Sequence, residues 1–206
     1  MTAIIDYDAG NIKSVEKALL FLGEDTVVTR DEKIIVQADR VILPGVGAFG
    51  DAMEKLHRYG LVEVIRKVVD AGIPFLGICL GMQLMFERSD ESDGVRGLAL
   101  LDGEIRKIPY EPDIKIPHIG WNSLTYPNPG RLFAGIPENS YVYFVHSYYL
   151  KAKDQNIVTA EADYGSTRIH ASIEKGNLLG CQFHPEKSST VGLTILKRFL
   201  SLQREG

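Results

Sequence analysis

The chain has 206 residues, is 45% hydrophobic and 24% charged, and carries a formal net charge of −4 with only two cysteines. That is enough apolar material for a sizeable core without disulfide staples, and without a global basic field nucleic acid and anionic membrane surfaces are not expected partners. No apolar run approaches the roughly 20 residues that span a bilayer, and 1-MTAIIDYDAGN-11 has no basic stretch leading into an apolar one, so a cytoplasmic protein is expected.

Residues 2–6 read as a short apolar strand running into the turn 7-YDAGN-11. A helix follows over 12–23, with Ile12, Val15, Leu19 and Leu22 on one face and Gly23 as its stop. Strands are predicted at 26–29 and 40–44, then a glycine-rich turn 45-GVGAFG-50 and helical patterning over 51–72 broken near Gly60. The strand 74–78 and a helix over 80–88 complete this half. Such apolar strands, separated by helices, imply a mostly parallel central sheet with helices on both faces. After a polar loop at 89–97 the pattern changes to extended runs at 104–108, 116–126, 140–150, 156–162, 168–174 and 178–184, read as additional antiparallel strands. A last amphipathic helix spans about 188–205, with Leu193, Leu196, Phe199 and Leu200 inward. With no internal repeat or linker, the expectation is one α/β domain over 1–206.

The segment 77-GICLG-81 places Cys79 between a strand and a helix, with glycines on either side. It follows the logic of a nucleophile elbow, in which a tight turn displays the nucleophile at a helix N-terminus where the thiolate is favoured. A buried structural cysteine explains the same segment equally well. The balance shifts with 184-HPE-186: Pro185 biases His184 towards extended backbone, where residues two apart point the same way. His184 can then take the thiol proton while Glu186 holds its other nitrogen. Acyl chemistry also needs N–H donors where negative charge develops. The backbone of Leu80 supplies one, and the turn at Gly45, Val46 and Gly47, whose glycines reach angles closed to other residues, supplies the second.

Together, G-x-C-x-G-x-Q at 77–83, H-P-E at 184–186 and P-G-V-G at 44–47 resemble the triad (class I) glutamine amidotransferases. Within that superfamily, 6-DYDAGN-11, 117-PHIGWN-122 and 144-FVHSYY-149 are similar to the glutaminase subunits of imidazole glycerol phosphate synthase, and these motifs cover nearly the whole chain. The resemblance implies a flavodoxin-like fold and hydrolysis of L-glutamine by Cys79, His184 and Glu186. Gln83, the backbone of Gly47, Ser147 and Tyr148 would hold the substrate. It further implies a heterodimer in which ammonia passes to a (β/α)₈ cyclase subunit acting on a ribotide in histidine biosynthesis, with Asn11, Tyr143 and Lys187 at the interface. Each of those three also fits an ordinary structural role. No cofactor is implied, and His57, His118, His146 and His170 lack metal-ligand spacing. Cys181 reads as a buried strand residue, His146 as structural, and Trp121 as support for packing or a loop. Other triad glutaminases, a cysteine hydrolase using the same elbow, and a non-enzymatic binding module are the competing readings.

Overall fold

Strands this apolar must be covered on both faces, and the computed structural model, which describes residues 1–204, shows how. The first half runs β1 (Thr2–Ile5), α1 (Ile12–Phe21), β2 (Thr26–Thr29), α2 (Glu32–Ile35), β3 (Arg40–Leu43), α3 (Phe49–Arg58), α4 (Leu61–Asp70), β4 (Phe75–Ile78) and α5 (Leu80–Leu84). The second half contributes β5 (Arg88–Ser89), β6 (Gly103–Lys107), β7 (His118–Ser123), β8 (Tyr141–His146), β9 (Tyr148–Ala152), β10 (Val158–Tyr164), β11 (Thr167–Lys175), β12 (Leu178–Cys181) and α6 (Ser189–Leu200).

The central sheet has the order β10-β11-β12-β4-β3-β1-β2. From β12 to β2 its neighbours are parallel, whereas β11 joins β12 and β10 joins β11 antiparallel. The two-residue period of a strand splits the interior into two cores. Ala3, Ile5, Val41, Leu43 and Phe75 face one core with α3 and α4; Ile4, Ile42, Leu76 and Ile78 face the other with Val15 and Leu19 of α1 and Leu196 and Phe199 of α6. Two smaller sheets, β5-β6-β9 and β7-β8, come from the second half.

Several expectations are corrected. The run 140–150 is not one strand: the chain turns at Ser147, sending β8 to pair with β7 and β9 with β6. The helix expected over 80–88 ends at Leu84, because Gly97, Leu98 and Leu100 send their N–H groups to the carbonyls of Glu87, Leu84 and Met85 and pull the chain into another path. The short α2 went unforeseen, although Asp31 caps it by accepting from the N–H of Lys33, a legible signal. In α6 the buried residues are Gly192, Ile195, Leu196 and Phe199, with Leu193 and Leu200 only partly covered. Ser189 opens that helix after a separate 3₁₀ turn at Pro185–Lys187, which shifts the phase; Glu205, the expected end, lies outside the described residues. Among the described residues no helix is long and apolar enough to cross a membrane.

Candidate active site

β4 and β12 lie side by side and parallel, so the residues following them emerge at one edge of the sheet, where such folds form their crevice. Cys79 follows β4 directly, at φ 54° and ψ −112°, a strained setting for a residue with a side chain. The surroundings enforce it. The Cys79 N–H donates to the Cys181 carbonyl at 2.7 Å, and α5 is pressed back against the sheet. A Cβ on Gly77 would stand 2.7 Å from the backbone of Met82, and one on Gly81 would stand 1.8 Å from the Leu43 carbonyl oxygen. The two glycines exist for this close approach.

His184 lies three residues beyond β12 in extended backbone, φ −100° and ψ 96°, as the following proline predicts. Its Nδ1 is 2.7 Å from Glu186 Oε1, and both side chains are shielded from solvent. The route differs from the one expected: Glu186 sits in the 3₁₀ turn Pro185–Lys187, and the turn, not strand alternation, folds the carboxylate back. Ser188 braces the segment, donating to the His184 carbonyl at 2.6 Å while accepting the Tyr143 N–H. Burial by itself drives the proton off the imidazole, but the Cys79 sulfur and the Glu186 carboxylate outweigh it and push His184 up to about 10. An imidazolium beside the sulfur is the partner a thiolate needs.

Two details mark a resting arrangement. His184 Nε2 is buried without a hydrogen-bond partner among the described residues, while the Cys79 thiol faces the Val145 carbonyl at 3.9 Å. The Leu80 N–H, expected as an oxyanion donor, donates to the Gly45 carbonyl at 3.3 Å. Of the turn glycines only Gly47 has a left-handed angle, φ +105°. Gly45 is needed for space instead, since a Cβ there would meet the Tyr7 hydroxyl at 2.5 Å. That hydroxyl donates to the Pro44 carbonyl at 2.8 Å, anchoring the base of the turn. The N–H groups of Val46 and Gly47 make no hydrogen bond among the described residues.

A cleft of about 250 Å³ opens above the sulfur, lined by Val46, Gly47, Cys79, Leu80, Gln83, Ser147 and Tyr148 among others. It is smaller than the ~300–1,000 Å³ typical of drug-sized ligands and suits one small metabolite. The substrate residues named from sequence all lie on its wall. Gln83 turns its amide inward, donating to the Tyr148 carbonyl and to Gln182 Oε1, so only its carbonyl oxygen remains for a ligand. Sequence reasoning missed Glu91, which also lines the cleft; its Oε2 accepts the Phe49 N–H at the start of α3. Nothing in the acidic loop 90-DESD-93 distinguishes this carboxylate from its neighbours before folding.

Of the three expected interface residues, Asn11 touches Glu186 directly, its Nδ2 donating to Glu186 Oε1 at 2.6 Å from a left-handed turn at φ 70°. Lys187 is exposed next to Glu186, and Tyr143 is half-buried on β8 with its carbonyl accepting the His184 N–H. Trp121, expected to support packing or a loop, is 52% exposed and meets Tyr143 edge-on, forming an apolar patch with Ile119 and Tyr141. Cys181 is fully buried and free, and burial pushes its thiol up to about 12.

Behind the cleft, His146 Nδ1 donates to the Tyr148 carbonyl, which leaves its Nε2 to accept from His118 Nδ1 at 3.0 Å. His118 is stacked between Phe144 and Tyr164. Burial lowers His118 to about 4 and His146 to about 3, and His170 shifts the same way for the same reason. Unfolded histidines protonate near 6.5, so the unfolded chain gains protons over a range where these remain neutral. The contribution of His118 and His146 to stability is therefore complete above about pH 6.5 and lost as pH falls towards 4, at about 1 kcal/mol per pH unit for each of these two. Melting temperatures measured across that window should fall with acidity, and His118→Phe should flatten the slope. A flat profile in the parent chain would remove this account.

A strained thiol, a buried imidazole–carboxylate pair and a neighbouring cleft thus meet at one edge of the central sheet. A family model described as Glutamine amidotransferase class-I matches residues 3–202, and the chain belongs to that family. Within it, the chain groups with relatives named Imidazole glycerol phosphate synthase subunit HisH. The relative from Moorella thermoacetica is 52% identical over 202 residues, 98% of this chain and 95% of its own. The one from Aquifex aeolicus is 47% identical over 199 residues, 96% of this chain and 95% of its own. Solved structures share the fold at lower identity. One glutamine amidotransferase superposes with a TM-score of 0.74 at 18% identity, covering 96% of both chains. PurLQS from Thermotoga maritima does so at 0.72 and 22%, covering 97% of this chain and 96% of its own.

Proposed function

We propose that the chain is the glutaminase half of an imidazole glycerol phosphate synthase, hydrolysing L-glutamine at Cys79 and handing the ammonia to a (β/α)₈ cyclase partner. The observation that carries this reading is Cys79, held in a strained elbow next to a buried His184 whose Nδ1 is fixed at 2.7 Å by Glu186. The thiol gives its proton to His184, and the sulfur attacks the side-chain carbonyl carbon of glutamine. The oxyanion is received by the N–H of Leu80 and one from the Val46–Gly47 turn. His184 then protonates the departing nitrogen as the C–N bond breaks, leaving a γ-glutamyl thioester. Water, deprotonated by His184, attacks the thioester; the C–S bond breaks, and glutamate leaves with the thiol restored. Glu91 faces the cleft as an acceptor for the substrate ammonium, and Gln83, Ser147 and Tyr148 shape the rest of the wall.

The resting geometry supports a partner-gated reaction. The Leu80 N–H stays committed until the Gly45 carbonyl turns away. The apolar patch of Ile119, Trp121 and Tyr141 adjoins Tyr143, whose backbone is tied to His184 directly and through Ser188. A cyclase seated there, touching Asn11, Tyr143 and Lys187, bears on the triad through two or three hydrogen bonds. Glutamate release is expected to be low for the chain alone and to rise at least tenfold with the cyclase and its ribotide. Equal rates in all three conditions would refute the coupling, and undiminished turnover in Cys79→Ala would refute the mechanism.

A further inference from the structure

Gln182 has no part in the chemistry above, yet it is fully buried and its Nε2 stands 3.7 Å from the Cys79 sulfur. Its backbone N–H is fixed to the Ala171 carbonyl at 2.8 Å, at the end of the β11–β12 ladder. A side-chain amide can be turned either way, so its direction has to come from its partners. Here the partners decide it. The Tyr148 carbonyl can only accept, so Gln83 must present its NH₂ group to it, at 3.0 Å. The same NH₂ group reaches the Gln182 amide at 2.9 Å, so Gln182 must present its oxygen there. Its own NH₂ is thereby left on the sulfur side.

We propose that Gln182 is a positioning residue for the nucleophile, its amide N–H donating to the Cys79 sulfur and its direction locked by Gln83 on the cleft wall. A hydrogen bond to the charged form of a group favours that form, and a sulfur anion accepts far better than a neutral thiol. The relay also joins the wall of the cleft to the nucleophile through buried contacts alone. A residue that only filled space would need neither the donor nor its fixed direction. The inference rests on Cys79 being the nucleophile.

The test is the pH dependence of Cys79 alkylation by iodoacetamide, followed on the Cys79 peptide by mass spectrometry so that Cys181 is not counted. Gln182→Met keeps the volume and removes the donor; the apparent pKa of alkylation should rise by about one unit. Gln182→Glu keeps the acceptor for Gln83 but places a carboxylate beside the sulfur. In the cyclase complex its kcat should fall about tenfold or more with KM for glutamine retained. Should the Met variant not fold, the alkylation profile of Gln182→Glu carries the test, with a rise at least as large. A lowered melting temperature with the parent's pH profile and kcat would overturn the proposal. Failure of the nucleophile assignment looks different: Cys79→Ala would then keep its turnover, whereas failure here leaves Cys79→Ala inactive.

Discussion

Cys79→Ala and His184→Ala should each lower glutamine turnover in the cyclase complex by on the order of 10⁴-fold or more, and the double variant should be no worse than the poorer single one. The reason is that each group is useless without the other. Without His184 the thiol proton has no acceptor and the departing nitrogen no donor; without Cys79 there is nothing for the imidazole to activate. His184 is also the charge beside the sulfur, so its loss takes away the partner of the thiolate as well as the base. Steady-state glutamate release, with thermal melts to confirm folding, measures this. Multiplicative losses in the double variant would mean that the two side chains act independently, and the triad would have to be abandoned.

The second large effect concerns folding. Gly81→Ala should cost about 4 kcal/mol or more, because the new Cβ would lie 1.8 Å from the Leu43 carbonyl oxygen, a backbone atom with no flexible side chain to yield. Relief requires α5 to lift off β3 and β4, and that movement dismantles the elbow. Gly47→Ala is the informative contrast. A Cβ there meets nothing within 4 Å, so only its left-handed φ of +105° opposes the change, a strain of about 1–3 kcal/mol. Denaturation midpoints should therefore drop far more for Gly81→Ala than for Gly47→Ala, whereas glutaminase activity should suffer in both. Equal midpoints would contradict the close approach of helix and strand.

That Cys79, His184 and Glu186 are candidates for one site was legible because their backbone requirements are written locally. A cysteine between glycines at a strand–helix junction, and a histidine before Pro-Glu, each carry their backbone requirement in the adjacent residues. The first half of the fold was legible for a related reason: its short strands are mostly apolar and its helices keep one apolar face. The second half was harder. The residues 140-SYVYFVHSYYL-150 read as one strand, and only pairing shows that Ser147 is a corner between two sheets. Glu91 and Gln182 stayed hidden because a carboxylate in an acidic loop and a glutamine after a strand acquire meaning only from neighbours distant in the chain.

The sequence by itself determined the residue chemistry, the alternation of strands and helices, and the glycines that permit a sharp turn, since these depend on composition, periodicity and steric freedom over a few residues. The tertiary structure decided that β12 lies beside β4, which brings Cys79 and His184 together from 105 positions apart. It also decided that the Leu80 N–H rests on Gly45, that Trp121 faces outward, and which way the Gln182 amide points. Each of these depends on which hydrogen-bond partner is nearest in space, and nearness across the chain is settled only when the sheet is assembled.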